Sequence, residues 1–155
     1  MTDITTDRLA EMVTDALERT CFMVSDPSDP SSVAEQGYEL SHCAKIAYSG
    51  PAAGFVYVVA SDGFLEELAS SLLGCEPEDI DLDVEGRDAV KELANIMGGS
   101  VTLELGGDNC EYRLGLPEET SPVEYTNGNE CYIESTYGAL RVYWSPSANA
   151  TSNAA

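Results

Sequence analysis

Five consecutive apolar residues in the first half of the chain constrain its fold more than any other feature. The run Phe55-Val56-Tyr57-Val58-Val59 is made of the β-branched and aromatic side chains that favour strands. Successive side chains of a strand point to opposite faces of a sheet, so a run without polar alternation has apolar side chains on both faces. It therefore predicts a central strand, and the chain must supply further strands on either side of it.

Patterns elsewhere in the chain predict those neighbouring strands. Residues 38–48 and 54–60 are expected to form a hairpin that turns around Ser49-Gly50-Pro51. In the second half of the chain, strands are predicted at residues 101–105, 110–116, 131–136 and 140–144. Val142, Tyr143 and Trp144 are expected to complete the sheet or to cover one of its edges.

Three segments have apolar residues at helical spacing. The first is residues 6–19, and Phe22 and Met23 are expected to extend its apolar face. The second begins at Asp62 as its N-cap and is closed by Gly74. The third covers residues 85–97 and is expected to stop at the Gly98-Gly99 pair. Residues 25–32, which contain two prolines among Ser and Asp, are predicted to be a loop.

The order of these elements predicts the fold class. A helix, two strands, two helices and several strands are typical of an α/β (α+β) domain, with long helices packed on one face of a mostly antiparallel sheet. A chain of 155 residues is long enough for one substantial core. Residues 1–145 are therefore predicted to form a single domain, and the small, polar residues 146–155 a disordered tail.

Charge and composition exclude several classes of partner. The chain carries 28 acidic and 7 basic residues, a formal net charge of −21. Proteins bind nucleic acids and anionic membranes through Lys and Arg side chains, so neither is an expected partner of this acidic chain. The acidity itself has two open interpretations: solubility or adaptation to salt, and steering toward a partner with a basic rim. The polar N-terminus, the absence of a membrane-length apolar stretch and five widely spaced cysteines favour a cytoplasmic protein with reduced thiols.

No metal site is predicted from the residues. One histidine and no paired cysteines argue against a structural zinc site. Residues 79–83 (DIDLD) are similar to the start of a calcium loop, but the sixth position lacks Gly and the twelfth is Val90 instead of a chelating Glu. The apolar residues that alternate with these acids favour a partly buried entry to the following helix.

The helix predicted at residues 85–97 has two different sides when its residues are placed at 100° intervals. One side is apolar and the other carries Asp88, Lys91, Glu92 and Asn95. Glu92 and Asn95 are three residues apart and project together. A carboxylate and an amide in this arrangement can grip a partner and orient a small reactant, although an ordinary solvated helix face has the same spacing.

Three segments together resemble the CheC/CheX/FliY family of chemotaxis phosphatases. Residues 88–99 (DAVKELANIMGG) resemble the signature helix of that family, in which Glu-x-x-Asn stands in an ELxNI…G setting. Residues 48–54 (YSGPAAG) resemble its aromatic-x-Gly…Gly hairpin, and residues 68–74 (LASSLLG) its LAxxLLG helix end. CheC-like proteins usually carry two copies of the motif and CheX-like proteins one, so the single copy here resembles CheX.

The resemblance implies a phosphatase that removes the phosphoryl group from the aspartate of a response regulator such as CheY. Asn95 would orient the attacking water, and Glu92 would engage the regulator's conserved lysine. Asp88 and Lys91 are candidate partner-binding residues, although Lys91 is also explained by a pairing within its own helix. The Mg²⁺ belongs to the regulator, so no cofactor of the chain's own is expected, and CheX-like proteins are dimers, so a homodimer is expected.

Two other interpretations remain open at the level of sequence. One is a non-catalytic CheX-like adaptor that binds a receiver domain or a flagellar motor-switch partner. The other is a structural domain in which Glu92 and Asn95 merely face water.

Overall fold

The structure is a computed structural model that describes residues 3–106, 111–147 and the backbone of 152–154. Its helices and strands follow one another in the order α1 (Thr6–Cys21), β1 (Asp26–Ser28), α2 (Pro30–Glu35), β2 (His42–Ser49), β3 (Gly54–Ala60), α3 (Asp62–Leu73), α4 (Arg87–Gly106), β4 (Arg113–Leu114), β5 (Glu118–Thr120), β6 (Val123–Tyr125), β7 (Asn129–Glu134), β8 (Ala139–Ser145) and β9 (Ser152–Ala154). A 3₁₀ turn at Pro77–Asp79 and a π-helical turn at Leu82–Gly86 connect α3 to α4.

In the part of the chain that the structure describes, seven strands form one antiparallel sheet. Their order is β1-β7-β8-β3-β2-β4, and β5 pairs with the same edge of β2 as β4 does. The predicted hairpin is confirmed, with Tyr48 of β2 opposite Gly54 of β3. Strand β3 lies between β2 and β8, and all seven of its residues are buried, as its unbroken apolar run predicts.

The helices cover one face of this sheet. Helix α1 packs against β7, and α4 packs against β2 and β3. Between them lies the main core, which includes the large side chains Leu17, Phe64, Leu93 and Trp144. The other face carries a smaller aromatic cluster of Phe55, Tyr57 and Tyr143, against which Tyr125 packs. The predicted α+β class is confirmed.

Helix α4 is longer than its sequence predicts. The expected stop at Gly98-Gly99 is wrong, and so is the strand predicted at residues 101–105, because the helix continues to Gly106. Val101 and Thr102 are buried and extend the apolar face by one more turn. A Cβ on Gly98 would come within 2.8 Å of Ile46 Cγ2, so this glycine permits a close approach of helix to sheet and does not end the helix.

The segment predicted to be a loop at residues 25–32 is partly regular. Pro27 lies in the short edge strand β1, where no donor is required of it. Pro30 occupies the first turn of α2, where a missing N–H costs nothing. The Asp29 side chain caps this helix by accepting a hydrogen bond from the Ser32 N–H at 2.8 Å. Both prolines therefore stand at positions that tolerate them.

Smaller corrections concern the ends of elements. Ser61, and not Asp62, caps α3 by accepting a hydrogen bond from the Phe64 N–H, whereas Gly74 ends this helix in the left-handed conformation as predicted. The strand expected at residues 110–116 is limited to Arg113–Leu114 within the described residues. Strand β8 is interior and does not cover an edge.

The last part of the chain contributes a small second sheet. Ser152–Ala154, within the segment predicted to be a disordered tail, pairs with β6, while residues 148–151 and 155 lie outside the described residues. Within residues 3–106 and 111–147, every helix is too short or too polar to span a lipid bilayer.

Candidate functional site

The polar side of α4 is exposed along two turns of the helix. Asp88, Glu92 and Asn95 are exposed and follow one another at spacings of four and three residues, which places them in one row. We call this row the motif ridge. The opposite side is buried, with Ala89, Val90, Leu93, Ala94 and Met97 at most 4% exposed. The predicted division of the helix into two sides is confirmed.

The side chains of Glu92 and Asn95 in the motif ridge are not engaged by the described part of the protein itself. Within residues 3–106 and 111–147, neither Glu92 nor Asn95 forms a hydrogen bond or an ion pair. Gly99 follows Asn95 by one turn, and a Cβ placed there would meet no atom within 4 Å. The surface beside the amide is therefore open. Asn95 can both donate and accept hydrogen bonds, and the carboxylate of Glu92 can accept them from a cationic partner.

Lys91 lies next to the motif ridge. Its side chain is half-buried and stands four residues before Asn95, so the ammonium group and the amide share one side of the helix. Within the described residues Lys91 takes part in no ion pair, whereas Arg8, Arg19, Arg87 and Arg141 each pair with a carboxylate. A cation is thus left available near an otherwise acidic surface.

The start of α4 is held by a compact acidic turn. Asp81 accepts a hydrogen bond from the Asp83 N–H at 3.0 Å, and its own N–H donates to Glu85 Oε1 at 3.4 Å. These carboxylates therefore serve as caps of the π-helical turn. Among the described residues, no three His, Cys, Asp or Glu side chains are grouped as metal ligands. The expected partly buried entry is confirmed for Ile80 and Leu82, but Val84 is 58% exposed.

A groove of about 240 Å³ runs between α3 and α4 beside the motif ridge. Its apolar lining comes mainly from Ala69, Leu72 and Leu73 of α3, and its acidic rim includes Asp88 and Glu92. Leu72 and Leu73 are 40% and 60% exposed. The sequence places both leucines on the core face of α3, so it misses this groove. The only sign of the groove in the sequence is that Leu73 lies outside the narrower apolar stripe formed by Leu65, Leu68 and Leu72.

The end of α1 lies toward Glu92, because α1 packs against α4 with Arg8, at its start, paired to Glu104 near the end of α4. Burial raises the pKa of the Cys21 thiol, and the negative charge of Glu92 raises it further, in agreement with this antiparallel packing. Met23 is buried, as predicted. The expectation that Phe22 extends the apolar face is wrong, because Phe22 adopts the left-handed conformation that ends the helix and its side chain is 86% exposed.

The fold and the motif ridge together define a class of protein: an α+β domain that presents a Glu-x-x-Asn pair on an exposed helix held against the sheet. The family model for the chemotaxis phosphatase CheX matches residues 42–133, which span the hairpin, α3, α4 and most of β7. This is more than half of the chain, and the protein belongs to the CheX family. The resemblance found in the sequence is thereby confirmed.

Solved structures with similar folds agree with this assignment. The chemotaxis protein CheX from Vibrio vulnificus superposes with a TM-score of 0.67 at 16% identity, over 90% of this chain and 93% of that chain. A CheC-like superfamily protein from Shewanella sp. PV-4 has a TM-score of 0.67 at 19% identity, with 93% and 97% covered. The CheX–CheY–BeF3–Mg²⁺ complex from Borrelia burgdorferi has a TM-score of 0.60 at 13% identity, with 92% and 97% covered. No curated protein matches the chain by sequence.

Proposed function

We propose that this protein accelerates the hydrolysis of the phosphoaspartate of a CheY-like receiver domain. The observation that carries the proposal is the exposed and unengaged Glu92–Asn95 pair on α4 of a CheX-family chain. The structural neighbour that contains CheX bound to CheY supports a receiver domain as the partner. In the reaction, a water oxygen bonds to phosphorus and the bond from phosphorus to the aspartyl oxygen breaks. The products are inorganic phosphate and the regulator's free carboxylate.

Asn95 is assigned the positioning of the attacking water. Phosphoryl transfer through a loose transition state gains mainly from alignment and charge neutralisation, and demands little covalent chemistry from the protein. A neutral amide can hold a water in line by donating one hydrogen bond and accepting another, without bringing negative charge toward the phosphoryl oxygens. The open surface beside Gly99 supports entry of this helix side into a partner's pocket.

Glu92 is assigned the docking contact, an ion pair with the lysine of the receiver. Such a pair becomes stronger when docking excludes water from it. Asp88 lies one turn earlier in the row and extends the acidic surface, so we assign it to partner binding as well. Lys91, available beside Asn95, is assigned an electrostatic contact with a phosphoryl oxygen.

The strong acidity of the chain bears on the choice of partner. A receiver's phosphorylation pocket is itself acidic, so a net charge of −21 works against approach unless basic residues surround that pocket. We therefore expect the cognate receiver to carry Lys or Arg around its phosphorylation site. The Mg²⁺ of the reaction is assigned to the receiver, and this chain is assigned no cofactor of its own.

The proposal also includes a cytoplasmic homodimer. The cysteines at 21, 43, 75 and 131 are free thiols, which persist in a reducing compartment. The outer strands of the main sheet, β1, β4 and β5, are two or three residues long and mostly exposed. They leave backbone groups for pairing with a second copy. Light scattering during size exclusion would measure the mass and contradict this part if only a monomer were found.

The central experiment is phosphate release from phosphorylated CheY-like receivers. Wild-type protein is expected to shorten the lifetime of the phosphoaspartate, and Asn95→Ala to return it to that of the receiver alone, with an unchanged circular dichroism spectrum. Gln36→Ala is a matched control, because it removes an exposed amide from the C-cap of α2, away from the motif ridge. Phosphate release by Asn95→Ala at the wild-type rate would refute the role of Asn95. Binding of a receiver by wild type without turnover would instead select the adaptor interpretation.

A further inference from the structure

The end of α1 contains a residue in a conformation that its side chain disfavours. Phe22 has a φ of 55° and a ψ of 32°, in the left-handed region where helices usually place Gly or Asn. The backbone needs this conformation to end the helix, because the Phe22 N–H donates to the Glu18 carbonyl and the Met23 N–H to the Leu17 carbonyl, both at 3.1 Å. A Cβ at this position brings a steric cost that Gly would avoid.

Burial of the Phe22 side chain does not compensate for this steric cost. The Phe22 side chain is 86% exposed, so it contributes little burial of apolar surface, whereas the neighbouring Met23 is 2% exposed and anchors the chain in the core. The fold requires the left-handed backbone at this position but not a phenylalanine side chain, and a disfavoured residue kept there points toward a functional role. A large exposed aromatic side chain is also typical of the centre of a protein–protein interface.

The position of Phe22 connects it to the motif ridge. Helix α1 packs antiparallel to α4, with Arg8 at its start paired to Glu104 near the end of α4, so Phe22 lies toward Glu92. The negative charge of Glu92 also contributes to the raised pKa of the neighbouring Cys21 thiol. The groove with Leu72 and Leu73 is lined by Glu92 itself. Exposed apolar side chains at the end of α1 and in α3 therefore lie near the acidic centre formed by Asp88 and Glu92, and we call Phe22, Leu72 and Leu73 the apolar rim.

We propose that the apolar rim is the docking surface for the receiver domain and sets its affinity, while Asn95 sets the rate of the chemical step. This inference rests on the proposed function and adds the surface chemistry of the partner. The receiver must present apolar side chains interspersed with Lys or Arg next to its phosphorylation pocket. The apolar groups pack on the rim, and the basic groups face the carboxylates of Asp88 and Glu92.

The decisive variant is Phe22→Gly, because docking and folding predict opposite effects for it. Removing the ring is expected to raise the KM for a phosphorylated CheY-like receiver about tenfold and to leave kcat within about twofold. The same change relieves the left-handed backbone, so the Tm is expected to rise. Loss of affinity cannot then be attributed to loss of fold.

Two further variants complete the test. Leu73→Ser is expected to raise KM in the same direction, since it removes the most exposed leucine of the groove. Tyr137→Ala is the matched control: it removes a 65% exposed aromatic side chain beside the opposite end of α3, near Gly63, and is expected to leave KM unchanged.

Binding is also measured directly, with a CheY-like receiver activated by beryllofluoride as the probe. An increase in Kd for Phe22→Gly and Leu73→Ser, but not for Tyr137→Ala, supports the apolar rim even if wild type shows no turnover. An unchanged Kd and KM for Phe22→Gly, together with a raised Tm, refutes the apolar rim as the docking surface. The proposed role of Asn95 is not affected by that result. If Asn95→Ala is fully active, the proposed role of Asn95 in the chemical step is refuted. The Kd values of the rim variants then still test whether the apolar rim is the docking surface. No binding by wild type to a panel of receivers overturns both.

Discussion

Gly98 of α4 and Ile46 of β2 lie so close together that a side chain at position 98 would overlap the isoleucine. A Cβ on Gly98 would come within 2.8 Å of Ile46 Cγ2 and 3.0 Å of Leu114 Cδ2. This close approach seats the motif helix directly on the hairpin, and Gly99 faces open space on the other side of the same turn. Gly98 thus makes the buried contact with the sheet, and the adjacent Gly99 lies on the exposed side beside the motif ridge.

The two glycines are expected to respond to alanine in opposite ways. Gly98→Ala should destabilise the fold by about 1–3 kcal/mol, because the methyl group overlaps Ile46 and Leu114. Gly99→Ala should be neutral or stabilising by up to about 1 kcal/mol, because alanine is the better helix former and nothing crowds it. Urea unfolding of both variants measures the difference. Equal stability would contradict the close contact.

The phenol of Tyr48 is expected to stabilise the core through two buried hydrogen bonds. It accepts one from Trp144 Nε1 at 3.0 Å and donates one to the Ser145 carbonyl at 3.1 Å. Tyr48→Phe leaves the indole N–H buried without a partner and should cost about 1–3 kcal/mol. Thermal unfolding compares it with Tyr137→Phe, in which the lost hydroxyl belongs to an exposed ring and little change is expected. Similar Tm values for the two variants would argue against the network.

Charge at position 92 is expected to control affinity and its dependence on salt. Glu92→Gln keeps the size of the side chain and removes the ion pair with the receiver lysine, so KM should rise about tenfold while kcat changes far less. For wild type, KM should increase with added NaCl, and this dependence should be shallower in the variant because one attractive charge is missing. Steady-state phosphate release at several salt concentrations tests both points. If Glu92→Gln lowered kcat and left KM unchanged, Glu92 would act in the chemical step and not in docking.

Asn95→Asp is expected to abolish stimulated dephosphorylation as fully as alanine does, although it is nearly isosteric. The aspartate keeps two acceptor oxygens but loses the donor N–H groups, and it brings a negative charge toward the phosphoryl group. The expected loss in kcat is at least about 100-fold. Single-turnover phosphate release at saturating receiver isolates this step from binding. Substantial activity in Asn95→Asp would show that the amide donor is not needed.

Stability is expected to fall at alkaline pH because of buried thiols. Burial raises the pKa of the Cys131 thiol to about 12, and the pKa values of Cys21 and Cys43 are shifted upward for the same reason. Between the ordinary thiol pKa and the raised one, the unfolded chain loses a proton that the folded chain keeps. Each such group then lowers the free energy of unfolding by about 1.4 kcal/mol per pH unit.

The control for this effect is Cys131→Val, which fills a similar volume without an ionisable group. Its unfolding free energy, measured in urea at several pH values from about 7 to 11, should decline less steeply above about pH 9 than that of wild type. Parallel curves for the two proteins would contradict the raised pKa of Cys131.

Several features of the fold and the site were predictable because a local pattern determines them. The unbroken apolar run at Phe55–Val59 requires a doubly buried strand, and β3 is one. The wheel of residues 85–97 separates buried from exposed positions because helical periodicity alone decides which side of a helix faces a core. Glu92 and Asn95 were therefore expected on the exposed side before any tertiary contact was known, and they lie there.

The tertiary structure decided the features that depend on contacts between segments distant in the chain. Gly98-Gly99 has the local signal of a helix end, but packing against Ile46, 52 positions earlier in the chain, outweighs the low helix propensity of glycine. The leucines at 72 and 73 share the apolar pattern of a core face, and only the separation of α3 from α4 leaves them partly exposed in a groove. Likewise, periodicity extends α1 through Phe22, whereas the burial of Met23 turns the chain and directs the ring into solvent. The sequence by itself determined where the central strand lies and which side of the motif helix is apolar, because those properties are local. The tertiary structure decided where that helix ends and which apolar residues are left uncovered beside Glu92, because both depend on what packs against them.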